Sequence, residues 1–192
     1  MTSTSMSELA GKRTLILGDV GAGKTVQTRR LLEEALSLGL GPVTVMDMAP
    51  EARVVNGTRV GGPILEADVP GVRVLRSRSI RAPRLSAVDA KDVVEQASHN
   101  ATVVKALLEQ FRDSPTPVLF VNDISIYLQM GDVQTLWGAL AEAGTVVANG
   151  YLGERLKDDR GSGVSDRERK GMEELAARFD VVVWLPEPSI GG

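Results

Sequence analysis

At 192 residues the chain is about the size of one domain. Its 43% hydrophobic and 24% charged residues are the balance of a globular protein with a sizeable core. The absence of cysteine excludes disulfide scaffolds, thiolate metal sites and a cysteine nucleophile, and a lone histidine, His99, excludes multi-histidine metal sites. A net charge of −3 gives no reason to expect a surface coated by nucleic acid.

Short, nearly continuous apolar runs alternate with helical patterns. The runs Thr14–Leu17, Val43–Met46, Val118–Val121, Thr145–Ala148 and Val181–Leu185 read as strands buried on both faces of a parallel sheet. Helices are predicted over Lys24–Leu38, Val88–Arg112 and Asp132–Ala143, with a fourth starting at Ser165. Ser86 with Asp89, and Ser165 with Glu168, have the spacing of N-terminal capping boxes. Trp137 and Trp184 are both expected to be packed, and His99 is expected to be structural. The termini, residues 1–11 and 186–192, read as flexible tails around a domain over 12–185. No apolar run approaches the roughly 20 residues of a membrane span, and Met1–Ala10 lacks the apolar stretch of a signal peptide; the expectation is a cytoplasmic protein.

The stretch Gly18-Asp19-Val20-Gly21-Ala22-Gly23-Lys24-Thr25 lies between a predicted strand and a predicted helix. Glycines there allow successive N–H groups to turn into one cavity, where a phosphate fits beside the positive end of a helix. Lys24 supplies a full positive charge and Thr25 a hydroxyl for Mg²⁺. Asp19 and Val20 occupy variable positions to which no chemistry is assigned. A second polar point, Asp123, follows the apolar run ending Val121-Asn122.

These residues match GxxxxGK[ST] in its structural context, and the chain thereby resembles the P-loop NTPase superfamily. The resemblance implies a three-layer α/β domain with helices on both faces, and ATP and Mg²⁺ as ligands, bound by residues 18–26 with Thr25 and Asp123 on the metal. The run Thr145–Asn149 resembles the extra strand of the RecA-like branch, with Asn149 as a polar sensor at its tip. That branch implies five strands in the order 5-1-4-3-2, and an ATPase. Many of its members carry Glu directly after the metal-binding Asp, where this chain has Ile124. RecA itself places the catalytic Glu after the second strand, where Asp47 and Glu51 stand as candidate bases beside Lys24 and Asp123. Guanine-recognition and ABC signature motifs are absent from the sequence.

The stretch Asn122–Tyr127 is similar to that of the P-loop corrinoid adenosyltransferases, so an ATP-dependent transferase, by adenosyl transfer or as a small-molecule kinase, is a second expectation. A nucleotide-binding regulatory module with little turnover is a third. An insert over 50–87 has seven arginines (53, 59, 73, 76, 78, 81 and 84) against three acidic residues. Residues 73–84 within it are a candidate surface for an anionic co-substrate or partner. Without aromatics for base stacking, nucleic acid is not favoured there. A basic loop over 150–164 resembles a kinase lid, and an oligomer is possible because neighbours often complete RecA-like sites.

Overall fold

The computed structural model describes residues 4–55, 58–156 and 158–186. In chain order the elements are α1 (Met6–Leu9), β1 (Arg13–Gly18), α2 (Lys24–Ser37), β2 (Val43–Asp47), β3 (Arg53–Val55), β4 (Thr58–Val60), β5 (Val72–Arg76), α3 (Pro83–Ser86), α4 (Ala90–Asp113), β6 (Val118–Asn122), α5 (Ser125–Leu128), α6 (Val133–Leu140), β7 (Thr145–Tyr151), α7 (Val164–Ala176) and β8 (Val181–Trp184). Six strands form one parallel sheet in the order β5-β2-β6-β7-β1-β8. β3 and β4 form a separate antiparallel hairpin.

The expectation of five strands in the order 5-1-4-3-2 is therefore corrected. Val72–Arg76, inside what reads as an irregular insert, joins the sheet edge beside β2. Its sequence, Val-Arg-Val-Leu-Arg, is half polar, as an edge strand tolerates, and so lacks the continuous apolar run that marks the central strands.

Side chains alternate across the sheet and divide the core in two. Ile16, Val45, Phe120 and Val147 pack with Leu31, Leu32 and Ala35 of α2 and with Met6 and Leu9 of α1. Leu15, Leu17, Met46, Leu119, Val121, Val146 and Ala148 pack on the other face with residues of α4 to α7. Burying Met6 and Leu9 against α2 orders a segment expected to be a free tail. The C-terminal tail beyond Pro186 lies outside the described residues. At the opposite edge from β5, β8 alternates inward and outward, and Trp184 is 60% exposed rather than packed. Trp137 meets Phe179 edge to face, with ring centres 5.6 Å apart. No helix among the described residues is long and apolar enough to cross a membrane.

Two caps differ from expectation. Asp89 itself caps α4, accepting from the N–H of Asp92, while the Ser86 hydroxyl donates to Ala82 O and Gln96 Oε1. The N-cap of α7 is Gly163 at φ 81°, and Glu168 is drawn into the protein interior instead of capping.

Candidate functional site

All six sheet strands run parallel, so the turns after β1, β2, β6 and β7 gather at one end. The turn after β1 becomes α2 within five residues, 19–23. Gly21 (φ 78°) and Gly23 (φ 87°) take the left-handed conformation that lets so short a loop reverse. Gly18 is needed for space: a Cβ there would lie 3.1 Å from the Ala22 Cβ and 3.3 Å from the Leu185 carbonyl oxygen. The first N–H groups of α2 have no acceptor within the helix and carry the positive end of its dipole.

Lys24 Nζ donates to the carbonyls of Gly18 (2.9 Å) and Asp19 (2.7 Å) in this same loop. Burial pushes its pKa below the ordinary lysine value, opposed by the negative charges of Asp123 and Asp19. Two carbonyl dipoles do not cancel an ammonium charge; the carboxylates of Asp123 and Asp19 are the opposite charges that act on it.

Behind the loop lies a network centred on Asn122. Its Oδ1 accepts from Thr25 Oγ1 (3.4 Å) and Asn149 Nδ2 (3.0 Å); its Nδ2 donates to Asp47 Oδ1 (2.8 Å) and the Gly62 carbonyl (2.9 Å). Asp47 Oδ2 accepts from the N–H of Ile64 (2.7 Å). Both Asp47 oxygens are thus occupied, and burial raises its pKa against the lowering effect of these bonds. Asn149 spends its polar atoms on Thr28 Oγ1, Asn122 and the N–H of Asp123.

Asp123 follows β6 with φ 58°, a left-handed conformation that aspartate tolerates better than most residues. Its N–H is held by Asn149 Oδ1 (3.0 Å), and its Oδ1 accepts from the Ser125 hydroxyl (2.6 Å). It lines a cleft of about 340 Å³. Of the residues singled out from sequence, Val20, Gly21, Gly23, Lys24, Thr25, Val26, Glu51, Asp123 and Asn149 line that cleft; Gly18, Asp19, Ala22 and Asp47 stand behind its wall.

Asp19, to which no role was assigned, ties the loop 152–163 to the glycine-rich turn. Its Oδ1 accepts from the N–H of Val20 (2.6 Å), and its Oδ2 from the N–H groups of Glu154 (2.8 Å) and Arg155 (3.3 Å). Arg169 fixes the same loop through the Gly153 carbonyl and Glu154 Oε1, each at 3.0 Å. Lys157, part of that basic loop, lies outside the described residues.

Two arginines of the insert serve the fold, and Arg53 lines the cleft. Arg73 donates to the carbonyls of Ser114 and Gln110 at the end of α4, and Arg76 to that of Leu65. Arg84 is the one arginine of 73–84 that lines the cleft, and it is paired: Nη2 lies 3.1 Å from Glu168, with the two side chains 7% and 3% exposed. Its guanidinium also sits 5.1 Å from the centre of the Tyr151 ring. Gln129 Nε2 donates to Glu168 Oε2 (2.7 Å). Burial drives the Glu168 pKa up from 4.5 to about 7, with Arg84 and Gln129 opposing and Asp123 adding to the rise.

A magnesium ion fits this donor set. The Thr25 hydroxyl spends its hydrogen on Asn122 and keeps its lone pairs, and Asp123, whose Oδ1 accepts from Ser125, lines the same cleft. Among the described residues no group of three His, Cys, Asp or Glu side chains is assembled for a metal, so an ion here would need phosphate oxygens and water to complete its shell.

No protein-family model matches the sequence, and no curated protein matches it. Among solved structures, the fold is similar to that of the Pif1 helicase from Candida albicans, at 13% identity and a TM-score of 0.40, covering 94% of this chain. The chain spans 37% of that helicase chain's length.

Proposed function

We propose that the cleft binds a magnesium nucleoside triphosphate, ATP in the simplest case, and that the chain cleaves its β–γ bond. The observation that supports this most directly is the charge arrangement: Lys24, held below the ordinary lysine value by burial, and the N-terminus of α2 meet Thr25 and Asp123 at one cleft. Residues 18–26 would wrap the phosphates, with N–H groups of the turn donating to their oxygens. Lys24 would leave its two carbonyls and turn its charge to the outer phosphates, where negative charge gathers during cleavage. Bound through Thr25 and Asp123, magnesium would neutralise phosphate charge.

Asn122, Asn149 and Asp47 are positioning residues in this reading. They aim the Thr25 hydroxyl and set the backbone of Asp123. Glu51, exposed on the cleft wall, is the better placed of the two candidate bases for a water, because both oxygens of Asp47 are already bonded.

Phosphorus NMR of the protein with Mg²⁺-ATP tests the reading. Orthophosphate and ADP are expected, and are expected to vanish in Lys24→Ala. ATP that neither binds nor turns over in the wild type overturns it. A transferase is a second reading, favoured by one observation: the cleft continues past Asp123 to Pro83, Ile126 and Gln129, farther than a water requires. Its mark in the same spectra would be a new phosphomonoester, or triphosphate for adenosyl transfer, appearing only with an added metabolite extract.

A further inference from the structure

Past Asp123 the cleft wall is built from Pro83 and Leu85 of α3, Ile126 of α5, and Tyr151 and Leu156 around the loop after β7. One buried polar group in this mainly apolar wall is left unsatisfied. Gln129 is 0% exposed, its Nε2 is spent on Glu168, and its Oε1 has no hydrogen-bond partner. Three buried side-chain atoms share that state among the described residues, and only Gln129 Oε1 belongs to a residue of the cleft. With Glu168 ionised the amide orientation is fixed by its neighbour, since a flip would bring Oε1 against the carboxylate. The free atom is therefore an acceptor. A buried acceptor is stable when a donor reaches it.

The charged side chains beside this wall, Arg84 and Glu168, are paired with each other. With Glu168 ionised, Arg84 and Glu168 neutralise each other at 3.1 Å, and Arg84 sits 5.1 Å from the centre of the Tyr151 ring. A charged group entering such a wall would lose its hydration without a counter-charge.

We propose that this wall is a second-substrate subsite for a small neutral alcohol or amide, which lays its carbon skeleton against Ile126, Leu85 and Leu156 and, as the buried Gln129 side chain turns toward the cleft, donates an O–H or N–H to its Oε1. The inference rests on the phosphate-binding reading for its role as a second-substrate site, because the subsite adjoins the outer-phosphate end of the cleft. The wall itself is defined independently of that reading.

Protein-observed NMR tests it, with a set of small neutral alcohols and primary amides as probes and with matched carboxylates and amines as controls. Neutral probes are expected to shift the side-chain amide of Gln129 and the methyls of Ile126 and Leu156. In Gln129→Met, which keeps the length and removes the acceptor, their binding is expected to weaken tenfold or more, with Mg²⁺-ATP affinity unchanged. Leu85→Trp, which fills the space from the rim, is expected to abolish probe binding and serves if Gln129→Met does not fold. The proposal is overturned if no neutral probe shifts this wall, if the charged controls bind equally well, or if the variants bind the probes as the wild type does. Mg²⁺-ATP titrations of the wild type and Lys24→Ala are read alongside: a failure there sinks the nucleotide reading while the probe shifts still report on the subsite.

Discussion

Asn122 donates its buried amide to Asp47 at 2.8 Å, joining the ends of two adjacent strands, β6 and β2, directly behind the Thr25 hydroxyl. The amide works there because it donates on one side and accepts on the other. In Asn122→Asp, the Asp47 oxygen and the Gly62 carbonyl lose their donor, and two carboxylates face each other in a buried place. By the usual cost of unsatisfied buried groups, a loss of about 3 kcal/mol in urea unfolding at neutral pH is expected. Exchanging the pair, Asp47→Asn with Asn122→Asp, restores one donor and one acceptor and should recover part of that loss. A single variant as stable as the wild type would show that the pair does not hold the strand ends.

Lys24 is held by its own loop and destabilised as a cation by burial. Lys24→Met is therefore expected to lower the affinity for Mg²⁺-ATP by at least tenfold, while leaving thermal stability unchanged or slightly raised. Calorimetric titration and a melting curve check the two halves separately. A variant that loses stability in step with affinity would make Lys24 a structural residue.

Gly153 presses on Asp19 so closely that a Cβ would lie 2.4 Å from the carboxylate carbon. Gly153→Ala must displace either the loop or the carboxylate that receives the N–H groups of Glu154 and Arg155. The expected result is faster hydrogen exchange at those two amides and a loss of about 1–3 kcal/mol. Asp19→Ala should free the same amides without the clash. Adding Gly153→Ala to it should cost less than Gly153→Ala alone, because the carboxylate is gone and only the Cβ contact at 2.8 Å remains. Additive effects would show that the two residues act separately.

Much of the fold is legible because central strands and long helices carry strong periodic signals, as Val118–Val121 and the α4 stripe do. β5 is not, because an edge strand can afford Arg73 on one face and Arg76 on the other, which breaks the apolar run. The glycine-rich turn is legible because its chemistry is local to eight residues. The network behind it is not, since Asp47, Asn122 and Asn149 meet only when three strands are set side by side. Glu168 was hidden by a plausible alternative: a carboxylate three residues after Ser165 reads as a cap until α7 turns it toward Arg84. The pairing of Arg84 with Glu168 is likewise invisible to a count of arginines over 73–84.

That pairing sets the pH response. Burial raises the Glu168 pKa from 4.5 to about 7, so the folded state holds a proton that the unfolded chain has released at intermediate pH. The stability this contributes is complete below pH 4.5 and is lost as pH rises through about 7. A shift of this size corresponds to about 3 kcal/mol. Asp47, also raised by burial, tilts stability the same way, whereas Asp132 and Asp159, lowered by their hydrogen bonds, act below the ordinary aspartate range. Urea unfolding from pH 5 to pH 8 should therefore show declining stability in the wild type. Glu168→Gln should remove most of the slope, leaving the part due to Asp47, whatever its absolute stability with Arg84 unpaired. Equal slopes in the two proteins would mean that Glu168 is ionised throughout this range and that Arg84, not burial, governs its charge.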